Sequence, residues 1–291
     1  MSLLLKFNLI LILVFGVSLV PAGFISYNLL QKNARTQVTQ NARLMMQTAM
    51  AVRGYTIKQI KPLLEPALAT TFLPQTVPAY SAMEIFNYLR ESNPEYTYKE
   101  ATLNPTNPRD RTVEWEADVV GAFRSDLKKK EMLGERETPQ GKSLYLAHPI
   151  QITDAKCLAC HDTPAVAPPT VLAAYGSANG FGWKLNEVIG AQIVTVPMAI
   201  PIGMADKAFQ TLLASLVGVF ALTLVFMNIL LYFIVVRPMK RLSYMADQVS
   251  MGNMDVPEVK AQGKDEVSVL AGSFNRMRIS LIKALKMLED V

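Results

Sequence analysis

The strongest constraint on the fold of this chain is a pair of long segments that contain no charged residue. The first covers residues 7–29 and the second covers residues 209–236. A helix of about 20 apolar residues crosses the ~30 Å hydrocarbon core of a bilayer, and both segments are longer than that. Because 51% of the 291 residues are hydrophobic, we predict a membrane protein with transmembrane helices at 7–29 and 209–236.

The residues that flank these segments predict the orientation of the chain. Arg237, Lys240 and Arg241 directly follow the second segment, and basic residues beside a span favour the cytoplasm. The first segment has a secretory signal as its alternative, but its apolar run exceeds the usual ~7–15 residues and no A-x-A pattern follows it. We predict a two-pass protein of the bacterial inner membrane, or another energy-transducing membrane, with residues 30–207 outside and both termini cytoplasmic.

Residues 30–207 have the patterns of a mixed domain. A polar run at 31–60 predicts a helix that continues the first apolar segment, 81–90 predicts a second helix, and 114–125 fits either a helix or a strand. Three β-rich segments follow one another along the rest of this region: 95–102, 142–152 and 188–196. Helices ahead of a short antiparallel sheet predict an α+β domain of PAS-like type.

A cysteine pair with an adjacent histidine carries the clearest chemistry in the chain. Cys157, Cys160 and His161 form a CxxCH sequence, and the chain has no other cysteine and one other histidine. Two thiols at this spacing reach the two vinyl groups of a haem as thioethers, and the next imidazole lies under the iron. We predict one covalent c-type haem with His161 as the proximal iron ligand.

Two other interpretations of the cysteine pair stay open. A structural disulfide between Cys157 and Cys160 is compatible with an oxidising compartment, although it gives no reason for the adjacent His161. A zinc site needs four ligands, and the two cysteines and two histidines of the whole chain are its only nitrogen and sulfur candidates.

The second iron ligand has several candidates. Met46 and Met50 lie at i and i+4 on the predicted outer helix, with Arg53 at i+7, so a thioether is expected near the iron and a guanidinium near a propionate. His148 is an alternative ligand in a strand-like run, Met83 is a further methionine, and a methionine stripe also serves as ordinary packing. A site with water or no sixth ligand is equally compatible with the sequence.

The residues after the second span have a coiled-coil pattern. A first helix is predicted before Gly252 and a second after Asp265, joined by a polar connector. Their apolar positions recur at spacings of three and four: Met239, Leu242, Ala246 and Val249 in the first, and Val267, Leu270, Phe274, Met277, Leu281, Ala284 and Leu288 in the second. Two such helices cannot bury this seam alone, so we predict a homodimer with a parallel four-helix bundle.

This tail resembles a HAMP linker, the helical module of histidine kinases and chemoreceptors. The resemblance covers residues 237–290 and is carried by four features: Arg237-Pro238, Gly252, Asp265-Glu266 and Phe274-Asn275-Arg276-Met277. It implies that a signal is passed through the bundle to a cytoplasmic partner such as a kinase.

The outer region resembles the PAS-like single-haem sensor domains that precede HAMP linkers in bacteria. The resemblance covers about residues 40–200 and is carried by Asn104-Pro105-Thr106-Asn107-Pro108, Trp115-Glu116, the CxxCH sequence and Gly180-Phe181-Gly182-Trp183-Lys184. It implies a c-type haem. Some members supply a third cysteine as distal ligand, whereas this chain has Phe86 in that neighbourhood.

Two functions fit these features. The first is a sensor in which haem redox state or a diatomic ligand outside alters the tail, and the second is a membrane-tethered c-type cytochrome for electron transfer. The patterned tail favours the sensor, because a carrier needs an anchor but no paired helices beyond it. We expect no enzymatic activity. We also expect no nucleic-acid partner, because the net charge of +5 is spread without a basic block.

Overall fold

The fold was described from a computed structural model that covers residues 3–139, 141–259 and 263–289, with side chains to residue 287. The chain forms two compact units, Tyr27–Ala208 and Met1–Ser26 with Phe209–Val291. The helices are α1 Leu3–Tyr55, α2 Lys61–Leu64, α3 Pro78–Ser92, α4 Glu114–Ser125, α5 Leu158–His161, α6 Pro169–Tyr175, α7 Ala199–Leu231, α8 Arg237–Ser250 and α9 Glu266–Glu289. The strands are β1 Thr97–Thr102, β2 Met132–Thr138, β3 Gly141–Gln151 and β4 Val188–Pro197.

The four strands form one antiparallel sheet in the outer unit. Its order is β1-β4-β3-β2, and all three pairings are antiparallel. β4 lies second from one edge and is buried at all ten of its positions. The CxxCH sequence lies in the long connection between β3 and β4. Because these two strands pair with each other, both ends of this connection are anchored in the sheet.

Hydrophobic cores lie on both faces of this sheet, because side chains alternate between faces along a strand. On one face, Leu146 and Val194 join residues of α1 and α3 in a buried cluster. On the other face, Ala147 and Ile193 pack with α4, whose Phe123 is fully buried. The domain is therefore a mixed α+β structure with helices on both sides of the sheet.

Most elements predicted from sequence patterns are confirmed. The polar run from residue 31 continues the first apolar segment as a single helix, α1, and β1, β3 and β4 occupy the three predicted strand segments. Residues 114–125, which fitted either structure, form α4. The strand β2 was missed because its sequence, MLGERET, is mostly polar and lies at an edge of the sheet.

Within the residues that the structure describes, two helices are apolar and long enough to cross a membrane. They begin at Leu3 and at Ala199, and the most apolar window of each is not buried in the protein. The amides of Asn8 and Asn228 donate to each other across the pair at 2.9 and 2.8 Å. Phe15 and Phe220 stack with 3.8 Å between ring centroids. Reciprocal amide bonds and close aromatic packing are how helices associate in lipid, where burial of apolar surface gives no driving force.

In the tail, α8 packs against α9 and against the connector between them. Leu242, Val249 and Phe274 are buried, as the seam pattern predicts, and Val267 is partly buried. Ala246 is exposed in the single chain, and its neighbour Met245 is buried. Other predicted seam positions are exposed in the single chain: Met239, Leu270, Met277, Leu281 and Ala284. The Leu288 side chain lies outside the described residues.

The connector is held by one buried amide. Asn275 donates from Nδ2 to the Val259 carbonyl at 2.8 Å and accepts from the Val259 N–H at 3.2 Å. Its side chain is only 8% exposed. Both polar groups of one buried backbone unit are therefore satisfied by a single side chain.

Replacing Asn275 with alanine should loosen this connector. Leaving a buried N–H and carbonyl unpaired costs about 1–3 kcal/mol, so hydrogen exchange at the Val259 amide should accelerate by about tenfold or more. Hydrogen–deuterium exchange of the full chain in detergent measures this. The matched control is Asn253→Ala, which removes an exposed amide from the same connector and should leave exchange at Val259 unchanged.

Candidate functional site

The candidate site is built on two short helical turns at the start of the β3–β4 connection. The Asp154 carboxylate accepts from the Lys156 N–H at 2.9 Å and thereby caps the turn Ala155–Cys157. Helix α5, Leu158–His161, follows at once. Cys157 and Cys160 are partly exposed free thiols, three residues apart on adjoining turns, with His161 as the next residue.

The His161 ring is oriented by a backbone carbonyl. Its Nδ1 lies 2.8 Å from the Gly180 oxygen, and Thr106 Oγ1 is 3.4 Å away. Because the carbonyl only accepts, Nδ1 carries the proton and Nε2 keeps its lone pair. Burial lowers the pKa of His161, and the bond to Gly180 offsets this only in part. The imidazole is therefore neutral at pH 7, the state in which it binds a metal.

A glycine-rich loop closes over this histidine. Gly182 N–H donates to the Asp162 carbonyl at 2.7 Å, and Trp183 N–H donates to the His161 carbonyl at 3.2 Å. The Trp183 ring stacks on the imidazole with 3.8 Å between centroids and 12° between planes. The buried indole Nε1 of Trp183 has no hydrogen-bond partner within the described residues. The loop thus engages the Nδ1 edge and one face of the imidazole, and the Trp183 indole N–H lies beside the ring without a partner among the described residues.

Gly180 occupies a position that no other residue fits. Its φ of +85° is in the left-handed region. A Cβ there would lie 2.1 Å from Thr106 Oγ1 and 2.8 Å from the Thr106 Cα. The absence of a side chain is what brings the Gly180 carbonyl close enough to bond His161.

These groups fit a c-type haem. Two unlinked thiols provide the thioether sulfurs, and an imidazole with its Nδ1 proton engaged provides Nε2 for iron, the arrangement usual for metal-bound histidines. The disulfide alternative has no support, because both thiols are free. For the zinc alternative, no group of three or more His, Cys, Asp or Glu side chains suited to a metal occurs in the part of the chain that the structure describes.

Comparison with known proteins identifies two families along the chain. Residues 31–197, more than half of the chain, match the Tll0287-like family. The chain belongs to the Tll0287-like family. Residues 230–283 match the HAMP domain, so the predicted order of a haem-protein domain followed by HAMP is confirmed.

A solved relative of the Tll0287-like domain is the cyanobacterial heme protein Tll0287, known from a crystal structure. It is 14% identical, with a TM-score of 0.41, and the match covers 55% of this chain and 94% of that one. No curated protein matches the chain.

Met46 and Met50 both lie on α1, one helical turn apart, but only Met46 is buried. Met46 is 1% exposed and belongs to the core that α1 forms with the sheet of the Tll0287-like domain, whereas Met50 is 46% exposed. The buried face of α1 follows Ala34, Val38, Ala42, Met46 and Ala49. Met83 is also a core residue, at 7% exposure. Met46 or Met50 as the distal ligand stays a prediction, as does the alternative at His148.

His148 occupies a half-exposed position on β3, as its strand-like surroundings allowed. Its Nε2 lies 3.4 Å from a carboxylate oxygen of Glu131, which also accepts from Arg43 at 2.9 Å. Arg43 bonded to Glu131 lowers the pKa of that carboxyl. The ring therefore belongs to a small charged group between α1 and the sheet edge.

Arg53 is engaged in a buried network that the sequence analysis missed. Its Nη1 donates to both Glu100 oxygens at 2.5 Å, and the Tyr98 hydroxyl donates to Glu100 at 2.7 Å. Burial lowers the pKa of Arg53, but the charge of Glu100 and its hydrogen bond to Arg53 raise it by more. The propionate role of Arg53 stays a prediction.

Asp110 is a partly buried carboxylate that sequence patterns did not single out. Its Oδ1 is buried without a hydrogen-bond partner among the described residues, and the Arg109 Nε is 3.7 Å away. Burial raises the pKa of Asp110 to about 6, against the lowering effect of Arg109 and Lys99. Because the folded state holds this proton more tightly than the unfolded chain, Asp110 makes folding less favourable once it ionises.

The Asp110→Asn variant should therefore be stabilised relative to the wild type by an amount that depends on pH. The difference should grow as pH rises from about 4, near the unfolded pKa of an aspartate, to about 6, and stay constant above that. Thermal unfolding of both proteins between pH 4 and 8 measures it. Asp126→Asn, an exposed aspartate that caps the following turn, should show no such rise.

Proposed function

We propose that this chain is a transmembrane haem-based signal transducer. Its Tll0287-like domain carries one c-type haem, bound through Cys157 and Cys160, and its HAMP domain relays the state of that haem to a separate partner. The observation that carries the proposal is the His161 ring, whose Nδ1 is fixed by Gly180 and whose Nε2 is left for iron, beside two free thiols. The proposal assigns binding and signalling roles and no catalytic residue.

Each group near the haem motif has a distinct role in this proposal. The bound haem supplies a redox change or a site for a diatomic ligand. The two thiols hold it irreversibly, so that occupancy does not depend on affinity. His161 ligates through Nε2, and its Nδ1–H bond to Gly180 makes the imidazole a stronger electron donor. Trp183 covers the imidazole and keeps water from its face.

Strand β4 offers a direct route from this domain to the HAMP domain. It ends at Pro197, Met198 bonds back to Lys142 at 2.9 Å, and α7 begins at Ala199. Near the start of α7, Asp206 accepts from Gln31 of α1 at 2.6 Å. A strand that is buried along its whole length transmits displacement rather than absorbing it, because packed interiors have low compressibility.

We place residues 30–207 outside the cytoplasm, with the HAMP domain and both termini inside. The basic cluster after the second apolar segment supports this orientation, and c-type haem is attached outside the bacterial cytoplasm. We also propose a PAS-like fold for the outer domain, and a homodimer in which exposed apolar positions of α9, Leu270, Met277 and Leu281, meet a second chain. These positions recur every seven and four residues, as in a bundle seam.

The experiment that tests the proposal compares cross-linking in different haem states. The variant Leu270→Cys is cross-linked between chains in membranes with a bismaleimide, a reagent that tolerates the reductant. The cross-linking rate is measured with the haem ferric, ferrous, or ferrous with carbon monoxide. We expect the cross-linking rate to change between at least two of these states. Arg276→Cys, on another face of α9, serves as the control and should cross-link poorly in every state. A cross-linking rate of Leu270→Cys that is the same in all three haem states would favour the tethered electron carrier.

A further inference from the structure

The Asn104-Pro105-Thr106-Asn107-Pro108 segment follows β1 and contacts the loop that covers His161. Its first residue makes two hydrogen bonds to the loop that covers His161. Asn104 Oδ1 accepts from the Gly180 N–H at 3.2 Å, and Asn104 Nδ2 donates to the Phe181 carbonyl at 3.1 Å. One amide therefore holds the peptide units on both sides of the Gly180 carbonyl, which itself points at His161.

We propose that Asn104 is a positioning residue for the proximal histidine. It fixes the backbone of Gly180 and Phe181 so that the Gly180 oxygen accepts a strong bond from His161 Nδ1, and it thereby sets how much electron density the imidazole gives to iron. The inference rests on the proposed ligation of haem iron by His161. It deepens that proposal by naming what regulates the ligand.

The loop needs these two bonds from Asn104 because its glycine backbone is intrinsically flexible. Gly180 has a φ of +85° and no side chain, so it loses more conformational entropy on folding than any other residue would. The Gly180 carbonyl itself makes one bond, at 2.8 Å to His161 Nδ1. The two bonds from Asn104 hold the peptide units before and after this carbonyl and keep it from turning away.

Asn104 is itself anchored to the sheet. Thr102, two residues earlier, pairs with Gly190 of β4, and the Leu103 N–H donates to the Ile189 carbonyl at 3.2 Å. A chain of hydrogen bonds therefore connects the proximal histidine to the strand that leads into α7. Asn104 therefore links the backbone beside the His161–Gly180 bond to β4.

Removing the Asn104 side chain should change the redox potential of the haem. In Asn104→Ala the Gly180 carbonyl is free to move, the Nδ1–H bond weakens, and the imidazole becomes a poorer donor. A poorer donor stabilises ferric iron less, so the midpoint potential should shift to a more positive value. Hydrogen exchange at the Gly180 amide, which loses its acceptor, should accelerate in the same variant.

The chain offers a matched control. Asn107 belongs to the same segment, but its side chain accepts only from the Arg109 N–H at 3.2 Å, within its own turn. Asn107→Ala should leave both the potential and the exchange at Gly180 unchanged. Thr106→Val removes the hydroxyl that lies 3.4 Å from Nδ1 without changing side-chain size, and it too should leave the potential in place.

The full-length protein in detergent is measured by spectroelectrochemistry and hydrogen–deuterium exchange. If Asn104→Ala shifts the potential upward while Asn107→Ala does not, the inference holds. If exchange at Gly180 accelerates but the potential stays at the wild-type value, Asn104 has only a structural role and the inference is overturned. A shift in Thr106→Val with none in Asn104→Ala also overturns it, because the hydroxyl would then be the controlling group.

A variant that does not accumulate and a wild type without haem lead to different conclusions. If Asn104→Ala does not accumulate, Asn104→Ser, which retains one hydrogen-bonding group, replaces it. A smaller upward shift in the serine variant supports the inference, and a wild-type potential overturns it. If the wild-type chain itself holds no thioether-bound haem, the proposed function fails and this inference fails with it, whereas a haem-loaded wild type with unshifted variants overturns the inference alone.

Discussion

Replacing Cys157 and Cys160 together with serine is expected to abolish covalent haem. Each thioether needs its own sulfur, and the rest of the chain has no cysteine that could substitute. Serine retains the size and the partial exposure of the two side chains, so loss of the fold is not the expected cause. A pyridine haemochrome assay on denatured, solvent-extracted protein measures the outcome. Haem that survives extraction in the double variant would contradict the assignment.

His161→Ala serves as the partner experiment because it removes the iron ligand and leaves both thiols. We expect covalent haem to be retained at a reduced level, with an altered spectrum, since iron loses the imidazole. The two variants therefore separate attachment from ligation. A wild-type spectrum in His161→Ala would mean that another residue occupies the proximal position.

The second large effect is expected in the tail, from a charge placed at Phe274. This side chain is 9% exposed and packs with Leu242, Met245 and Val249. Phe274→Glu removes a large apolar group, which costs about 3–5 kcal/mol for a buried phenylalanine, and leaves an unpaired charge in its place. Because domains of this size have only about 5–15 kcal/mol of stability, we expect the packing of α8 against α9 to be lost.

Limited proteolysis of membranes reports this loss, since cleavage follows the population of open tails. The tail of Phe274→Glu should be cut at least tenfold faster than that of the wild type. Ile279→Glu is the matched control, because Ile279 is 41% exposed on the same helix and its change buries no charge. Equal resistance of Phe274→Glu and the wild type would show that this cluster does not hold the tail together.

The sequence is most informative where function depends on residues that are adjacent in the chain. The CxxCH sequence contains both proposed attachment sites and the proposed proximal ligand within five residues, so this chemistry can be predicted before any fold is known. The groups that orient His161 cannot be found this way. Gly180 and Asn104 meet only because β1 and the β3–β4 connection are brought together by sheet pairing, and no local spacing encodes that contact.

The distal side illustrates a second limit. A 3.6-residue period shows which residues share a face of α1 but not which face is buried, and Met46 and Met50 prove to have different surroundings. The same limit explains the seam of the tail. Leu242 and Phe274 are buried within one chain, whereas Ala246 is exposed there and Met245 is buried. The spacing does not distinguish contacts within a chain from contacts with a second chain.

A π-helical turn, Tyr232–Val236, stands between α7 and α8. Such a turn holds one residue more than a regular α-helical turn, and one residue corresponds to about 100° around a helix axis. This inserted residue therefore sets the rotation of α8 about the helix axis relative to α7. If the π turn became regular α-helix, the apolar side of α8 that carries Leu242 and Met245 would turn relative to α7 by more than a quarter of a revolution.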